Sequence, residues 1–185
     1  MNASVLEGRL SWSGRLPLQW RVLDSMPDEE LLLRTDDRNY ALLRALALVE
    51  ERAIHQSEEP SPLVAQMERL EAKFDLVLTL LTEVLLPEAE VPRAVPMRLC
   101  AKGLVFEAAY PVEPGAVVEV SIHFSASLPR PVVFFGIVVE PLPGEEAHVS
   151  VEFRHNGSGV KERLERLVFR RHRRSIARQR PQLAQ

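Results

Sequence analysis

The stretch LVAQMERLEAKFDLVLTLLTEV, residues 63–84, organises the structure predicted for this chain. Its apolar residues recur at alternating intervals of four and three, which is an unbroken heptad repeat. Such a repeat keeps one seam of a helix facing a partner helix as the two supercoil. The residues of this seam are Leu63, Met67, Leu70, Phe74, Val77, Leu81 and Val84.

Further apolar residues flank the seam, at Val64, Leu76, Leu78, Leu80 and Leu85. A seam between two helices leaves flanking positions partly wet, so a stripe this wide requires more than one partner helix. We therefore predict self-association into a homotetramer, with a dimer as the alternative. The residues predicted to form the contact are Leu63, Met67, Leu70, Phe74, Val77, Leu78, Leu81, Val84 and Leu85. An ordinary buried helix of a monomer is the competing interpretation.

A second helix is predicted before the heptads. It begins near Thr35, Asp36 or Asp37, which are residues able to cap free backbone N–H groups. Ser61-Pro62 then starts the heptad helix and Pro87 ends it. The short connection between the helices predicts an antiparallel αα-hairpin over residues 35–87.

Extended segments are predicted on both sides of this hairpin. Residues 4–23 are interpreted as a hairpin or paired strands that turn at Ser13-Gly14. From Pro92 onward apolar residues alternate with polar ones, over 116–124 and 147–153, and residues 132–139 are almost continuously apolar, as in a strand covered on both faces. Pro114-Gly115 and Pro143-Gly144 match type II turns. Strands without intervening helices indicate an antiparallel sandwich or small barrel. A final helix is predicted from about Val160 to Gln179.

The segment MRLCAKGLVF, residues 97–106, resembles the strand–turn–strand of PilZ domains. The order of the later strands and the closing helix is also similar, over about residues 92–174. The resemblance implies a six-stranded antiparallel β-barrel with a C-terminal helix. Many PilZ domains are receptors for the bacterial second messenger cyclic di-GMP, whereas others act in type IV pilus assembly, motility or virulence without binding it. The barrel requires a strand before the turn at Gly103, and we expect residues 16–23 to supply it.

The residues that bind cyclic di-GMP in this family are not matched here. Ligand-binding members carry R-x-x-x-R followed by D/N-x-S-x-x-G, in which paired guanidiniums grip phosphate and short polar side chains bond guanine. The second motif falls on Arg98 to Gly103, where Arg98 and Cys100 replace the acidic or amide residue and the serine. Only Gly103 is retained, which predicts a turn with positive φ. We therefore expect no cyclic di-GMP binding and no cofactor.

Other site types find little support in the sequence. The five histidines show no metal-ligand spacing, the single cysteine Cys100 has no activating partner, and no catalytic constellation is present. Residues 156–159, Asn-Gly-Ser-Gly, are interpreted as a helix cap, with a phosphate cradle as the alternative. A single cysteine, the lack of a secretory signal and the lack of a long apolar run predict a cytoplasmic protein that does not enter membranes.

The C-terminal helix is strongly basic although the chain has a net charge of −3. It is either a solvated helix end, or a surface for an acidic protein, or, least favoured, a nucleic-acid contact. From residue 161 to residue 180 the sequence has nine cations and only two acidic residues, Glu162 and Glu165. The cations are Lys161, Arg163, Arg166, Arg170, Arg171, Arg173, Arg174, Arg178 and Arg180.

The sequence thus predicts three parts: residues 1–34 complete the barrel, residues 35–87 form a helical bundle between subunits, and residues 88–185 form the PilZ-like barrel with its basic helix. The predicted function is a non-enzymatic adaptor that works by protein contacts in cyclic di-GMP signalling, motility, pilus or virulence pathways. The alternative is a nucleotide or nucleic-acid binder, including a cyclic di-GMP receptor with a non-standard arginine site.

Overall fold

Six antiparallel strands form a closed β-barrel in a computed structural model of the chain. The structure describes residues 5–6, 8–52, 66–67, 70, 72–74, 76–77, 80–81, 91–125, 128, 130–141 and 147–179. Its strands are β1 (Trp12–Leu23), β2 (Ala94–Cys100), β3 (Gly103–Glu107), β4 (Val117–Ile122), β5 (Val132–Val139) and β6 (His148–Arg154), in the spatial order β1-β2-β3-β6-β5-β4. Helix α1 spans Glu29–Arg52 and helix α2 spans Ser158–Gln179. The predicted six-stranded barrel and its C-terminal helix are confirmed.

Strand β1 closes the barrel because its two halves pair with different strands. Residues 12–17 pair with β2, and residues 18–23 pair with β4. Pro17, which has no N–H to donate, lies where β1 passes from one partner to the other. Its carbonyl oxygen accepts a hydrogen bond from the His123 N–H at 3.0 Å. The expected place of residues 16–23 in the barrel is confirmed, with α1 and the heptad segment between β1 and β2 in sequence.

The predicted turn at Ser13-Gly14 is wrong, because both residues lie within β1. The glycine is required there for space. A Cβ on Gly14 would lie about 2.1 Å from the Trp12 ring, which crosses over this position. A Ser-Gly pair is typical of a turn, but it also fits a strand position that lies under an indole ring. The sequence therefore did not distinguish the two.

Alternating side chains of the strands fill the barrel, and α2 closes it. Val120, Phe134 and Val151 are fully buried inside, and Phe134 stacks on Phe153 with ring centroids 4.3 Å apart. From α2, one apolar face enters the same core, and Leu43 and Leu46 of α1 join it. The α2 residues of this face are Val160, Leu164, Leu167 and Val168.

Helix α1 begins at Glu29, six residues before the first position predicted from Thr35. Asp28 caps it, since its Oδ1 accepts the Leu31 N–H at 2.8 Å. Glu29 and Glu30 favour the same end through the helix dipole. The run of three leucines at 31–33 has no helical periodicity, and it concealed this start.

Asn39 attaches α1 to the barrel wall. Its side-chain amide donates to the Val133 carbonyl at 2.6 Å and its Oδ1 accepts the Val133 N–H at 3.1 Å. Val133 precedes Phe135, which is the first residue of β5 that pairs with β6. The asparagine therefore supplies the two hydrogen bonds that a neighbouring strand would otherwise make.

The later strands agree with their predictions, and β5 has the predicted bounds. Gly115 has φ of +93° and the Ala116 N–H donates to the Glu113 carbonyl at 3.2 Å, as a type II turn at Pro114-Gly115 requires. The turn predicted at Pro143-Gly144 lies outside the described residues, as does the connection of the αα-hairpin at residues 53–65.

Replacing Asn39 with alanine should destabilise the protein, because two backbone groups of Val133 lose their partners in a buried site. Each group left without a partner costs about 1–3 kcal/mol. Urea denaturation of Asn39→Ala should show a loss in this range or above. Asp37→Ala, an exposed change on the same helix, should stay within about 0.5 kcal/mol of the unmodified protein. Equal stability of the two variants would show that Asn39 does not attach α1.

Candidate functional site

The described part of the heptad segment is helical and exposes its apolar residues. We call Met67, Leu70, Phe74, Val77 and Leu81 the heptad surface. In the single chain each of these residues is 49–59% exposed. Leu76 and Leu80 are equally open to solvent. An apolar array of this extent is unusual on an isolated soluble chain, where contiguous apolar patches tend to be interaction sites.

Four of the residues predicted for the subunit contact lie outside the described residues; they are Leu63, Leu78, Val84 and Leu85. The same holds for Pro62 and Pro87, where the heptad helix is predicted to begin and end.

The positions equivalent to the ligand motif lie on β2 and β3, under a cover of apolar residues. Cys100 is buried and its thiol donates to the Val5 carbonyl oxygen at 3.6 Å. Val5 and Leu6 pack with Cys100 and Val105 in a small cluster separate from the barrel core. The residues just before β1 therefore lie over the strand–turn–strand.

Gly103 serves close packing, and the predicted positive φ is wrong. Among the described glycines only Gly8 and Gly115 have positive φ. A Cβ on Gly103 would lie about 2.2 Å from the Val151 carbonyl oxygen and about 2.3 Å from a methyl of Val5. The sequence could not show this, because both contacts come from distant segments.

The start of α2 is occupied by a carboxylate of the chain itself. Asp36 on α1 accepts the Gly157 N–H at 2.8 Å, and a Cβ on Gly157 would collide with that carboxylate. Asp36 thus takes the N–H group that a phosphate would need, which supports the helix-cap interpretation of residues 156–159.

One carboxylate of α1, Glu50, contacts three arginines of α2. Glu50 is a carboxylate with a side chain only 10% exposed, and its Oε1 accepts a hydrogen bond from Arg171 at 3.0 Å. Its Oε2 lies 3.6 Å from Arg170 and 3.7 Å from Arg174. Arg174 also donates to the Glu50 carbonyl at 2.9 Å, near the end of α1 where carbonyls lack helical partners.

Arg171 is the most enclosed of these cations. It donates to the Phe124 carbonyl at 2.8 Å and lies over the Trp12 ring at 5.1 Å. Burial lowers the pKa of this guanidinium, while Glu50 opposes the change. Arginine remains charged at neutral pH regardless, so the arginine–glutamate pair is an ionic support of the helix packing.

Tyr40 and Arg163 form another contact between α1 and α2. Arg163 donates to the Tyr40 hydroxyl at 2.9 Å, and its guanidinium lies 4.3 Å from the ring centroid. The hydrogen bond lowers the pKa of the Tyr40 hydroxyl. Asp36, Tyr40 and Glu50 were not identified as partners of α2 from the sequence, since only the fold brings them beside it.

The described residues contain no cluster of three or more His, Cys, Asp or Glu side chains placed to hold a metal ion. None of the described helices combines the length and apolar character needed to cross a bilayer.

A family model described as "atypical PilZ domain, cyclic di-GMP receptor" matches residues 43–181. This match covers most of the chain. The chain belongs to the atypical PilZ family. Curated proteins give no significant sequence match.

A solved structure is similar to this PilZ protein along nearly its whole length. It is a pathogenic protein from Xanthomonas campestris, described as a tetrameric PilZ domain that self-assembles through an unusual helical bundle. The two are 25% identical, with 92% of each chain covered and a TM-score of 0.71.

Proposed function

We propose that this PilZ protein is a non-enzymatic adaptor of bacterial cyclic di-GMP signalling, in motility, type IV pilus or virulence pathways. It assembles into a tetramer through its heptad helix and acts by protein contacts without binding cyclic di-GMP. The observation that carries the proposal is the exposed heptad surface, because an adaptor needs a face for other chains and this one is apolar, regular and uncovered in the monomer.

The heptad residues and the similar solved structure both support a tetramer. Val77 and Val84 occupy d positions, where β-branched residues favour more than two strands in parallel coiled coils. Phe74 at an a position is bulky for a two-helix seam, whereas four helices enclose a wider centre. The Xanthomonas protein is itself tetrameric through a helical bundle. Residues 35–87 are then the assembly module, and a dimer is the alternative.

The residues on β2 and β3 disfavour cyclic di-GMP binding. A guanine edge needs an acidic or amide side chain and a serine at the positions of Arg98 and Cys100, and phosphates need a pair of arginines upstream. Cys100 instead donates to Val5 in an apolar cluster. Gly103 is enclosed by Val5 and Val151. A ligand at this face would have to displace the segment that carries Val5 and Leu6.

A second candidate function is a cyclic di-GMP receptor with a non-standard arginine site. The description of the matching family favours it. The fold disfavours it, because Arg170, Arg171 and Arg174 of α2 are paired with Glu50.

Calorimetric titration with cyclic di-GMP separates these two functions. We expect no binding in the micromolar range. Arg98→Asp combined with Cys100→Ser should also fail to bind, because the upstream arginine pair is still missing. A micromolar dissociation constant for the unmodified protein would contradict the adaptor proposal and establish the receptor.

Self-assembly is tested by placing carboxylates on the heptad surface. Phe74→Glu with Leu81→Glu should dissociate the assembly to a species of 20.9 kDa in sedimentation velocity. An uncompensated buried carboxylate costs several kcal/mol, roughly, and each subunit would contribute two. Ala72→Glu adds a carboxylate to an exposed position away from the seam, and it should leave the assembly intact. If the double variant sediments like the unmodified protein, the heptad surface is not the contact.

A further inference from the structure

A groove outside the heptad surface lies between the segment before β1, the β2–β3 turn and α2. Its volume is about 480 Å³. Leu10 and Phe169 are 45% and 48% exposed at its sides, and the buried Val168 and partly buried Ala101 lie in its floor. Large apolar side chains that remain this open beside a concave surface are suited to receive an apolar side chain from outside.

Cations dominate the rim of this groove. Among the described residues, its charged lining consists of Arg9, Lys102 and Arg166 and one carboxylate, Glu165. Arg173 lies close by, with its guanidinium 5.7 Å from the Phe169 ring centroid. The whole chain carries a net charge of −3, so this positive rim is a local feature. A local field of this sign attracts acidic partners and disfavours basic ones.

These cations can form further hydrogen bonds or ion pairs with carboxylates of a partner. Arg9 donates one N–H to the Val5 carbonyl at 2.7 Å, and a guanidinium has five N–H donors. Arg166 pairs with Glu162, but both side chains are more than 60% exposed. Such exposed pairs contribute little energy, so a carboxylate from a partner can join or replace Glu162. Lys102 is exposed on the β2–β3 turn.

The groove does not have the polar interior of a nucleotide site. Such a site places buried donors and acceptors where they can bond a base edge. None of the described residues that line the groove has a buried side-chain nitrogen or oxygen atom left without a hydrogen bond. An apolar interior with a cationic rim suits a peptide better.

We propose that this groove binds an acidic peptide segment of a partner protein, with an aromatic or large aliphatic side chain inserted between Leu10 and Phe169. Carboxylates flanking that side chain pair with Arg9, Lys102 and Arg166. The inference deepens the adaptor function and rests on it, since it presumes that the chain works by protein contacts. It also narrows the surface that α2 offers to an acidic protein to one side of the helix, because Arg170, Arg171 and Arg174 on the other side are paired with Glu50.

Selection from a displayed library of random twelve-residue peptides, against the immobilised full-length protein, tests the proposal. We expect enrichment of peptides with a Phe, Trp or Leu flanked by Asp and Glu. Fluorescence anisotropy should give an affinity for the best peptide that falls at least tenfold with Phe169→Ser and tenfold with Lys102→Glu. The affinity should also weaken with added salt, because charge pairs are screened.

Arg130→Glu provides the matched control, since it reverses an exposed cation outside the groove. Its peptide affinity should change less than twofold. Circular dichroism melting verifies that each variant is folded, and Lys102→Glu on an exposed turn keeps the test valid if Phe169→Ser is unstable. Enrichment of basic or uncharged peptides, no enrichment, or equal binding by the groove variants would overturn the proposal.

Binding of a fluorescent single-stranded oligonucleotide that Lys102→Glu abolishes, without peptide enrichment, would also overturn it and assign the groove to nucleic acid. Because peptide binding is measured separately from cyclic di-GMP binding and from particle mass, its failure leaves the adaptor proposal intact. Failure of the adaptor proposal would appear in the calorimetric and sedimentation experiments instead.

Discussion

The double pairing of β1 is the constraint on which the rest of the structure depends. Without this strand, β2 and β4 would each present an unpaired edge, and open edges of this kind are sites of aggregation. The strand lies before residues 24–93 in sequence, yet it pairs with β2 through Trp12–Pro17 and with β4 through Leu18–Leu23. The helical insertion must therefore leave the barrel and return to it at fixed points. An insertion so anchored can carry an assembly surface without disturbing the barrel.

The packing of α1 against α2 explains why a basic helix need not be a nucleic-acid surface. Glu50 gathers Arg170, Arg171 and Arg174 in a largely enclosed site. Removing Glu50 would leave three arginines without their shared carboxylate, so the cluster specifies how the two helices meet. Asp36 and Tyr40 add contacts nearer the start of α2. Arg166 of α2 instead lines the groove beside the segment before β1.

The sequence predicted those parts of the fold that local patterns determine. Alternation along 116–124 and 147–153 and the apolar run at 132–139 identified three strands, and Pro114-Gly115 identified its turn. Local patterns failed where a neighbour in space decides the residue. Gly14 makes room for Trp12, and Gly103 makes room for Val5 and Val151. At Asp28 the cap was present in the sequence, but three successive leucines hid the helix that follows it.

In the candidate site, too, local patterns predicted some features and contacts in space decide the others. The heptad repeat is a local pattern, and its described residues are indeed helical and exposed. Other features depend on contacts between segments far apart in the chain. Val5 and Leu6 pack over Cys100, Asp36 accepts the Gly157 N–H, and Glu50 pairs with arginines of α2. Sequence spacing carries no information on such contacts. The basic residues of α2 could therefore be counted from the sequence, but the residues that pair with them could not be identified.

One chain leaves the heptad surface open, and we propose that assembly covers it. The most direct test is the molar mass of the unmodified protein, measured by multi-angle light scattering across a range of concentrations. We predict a mass close to four times the 20.9 kDa of one chain, constant on dilution. A mass of one chain at every concentration would contradict the claim.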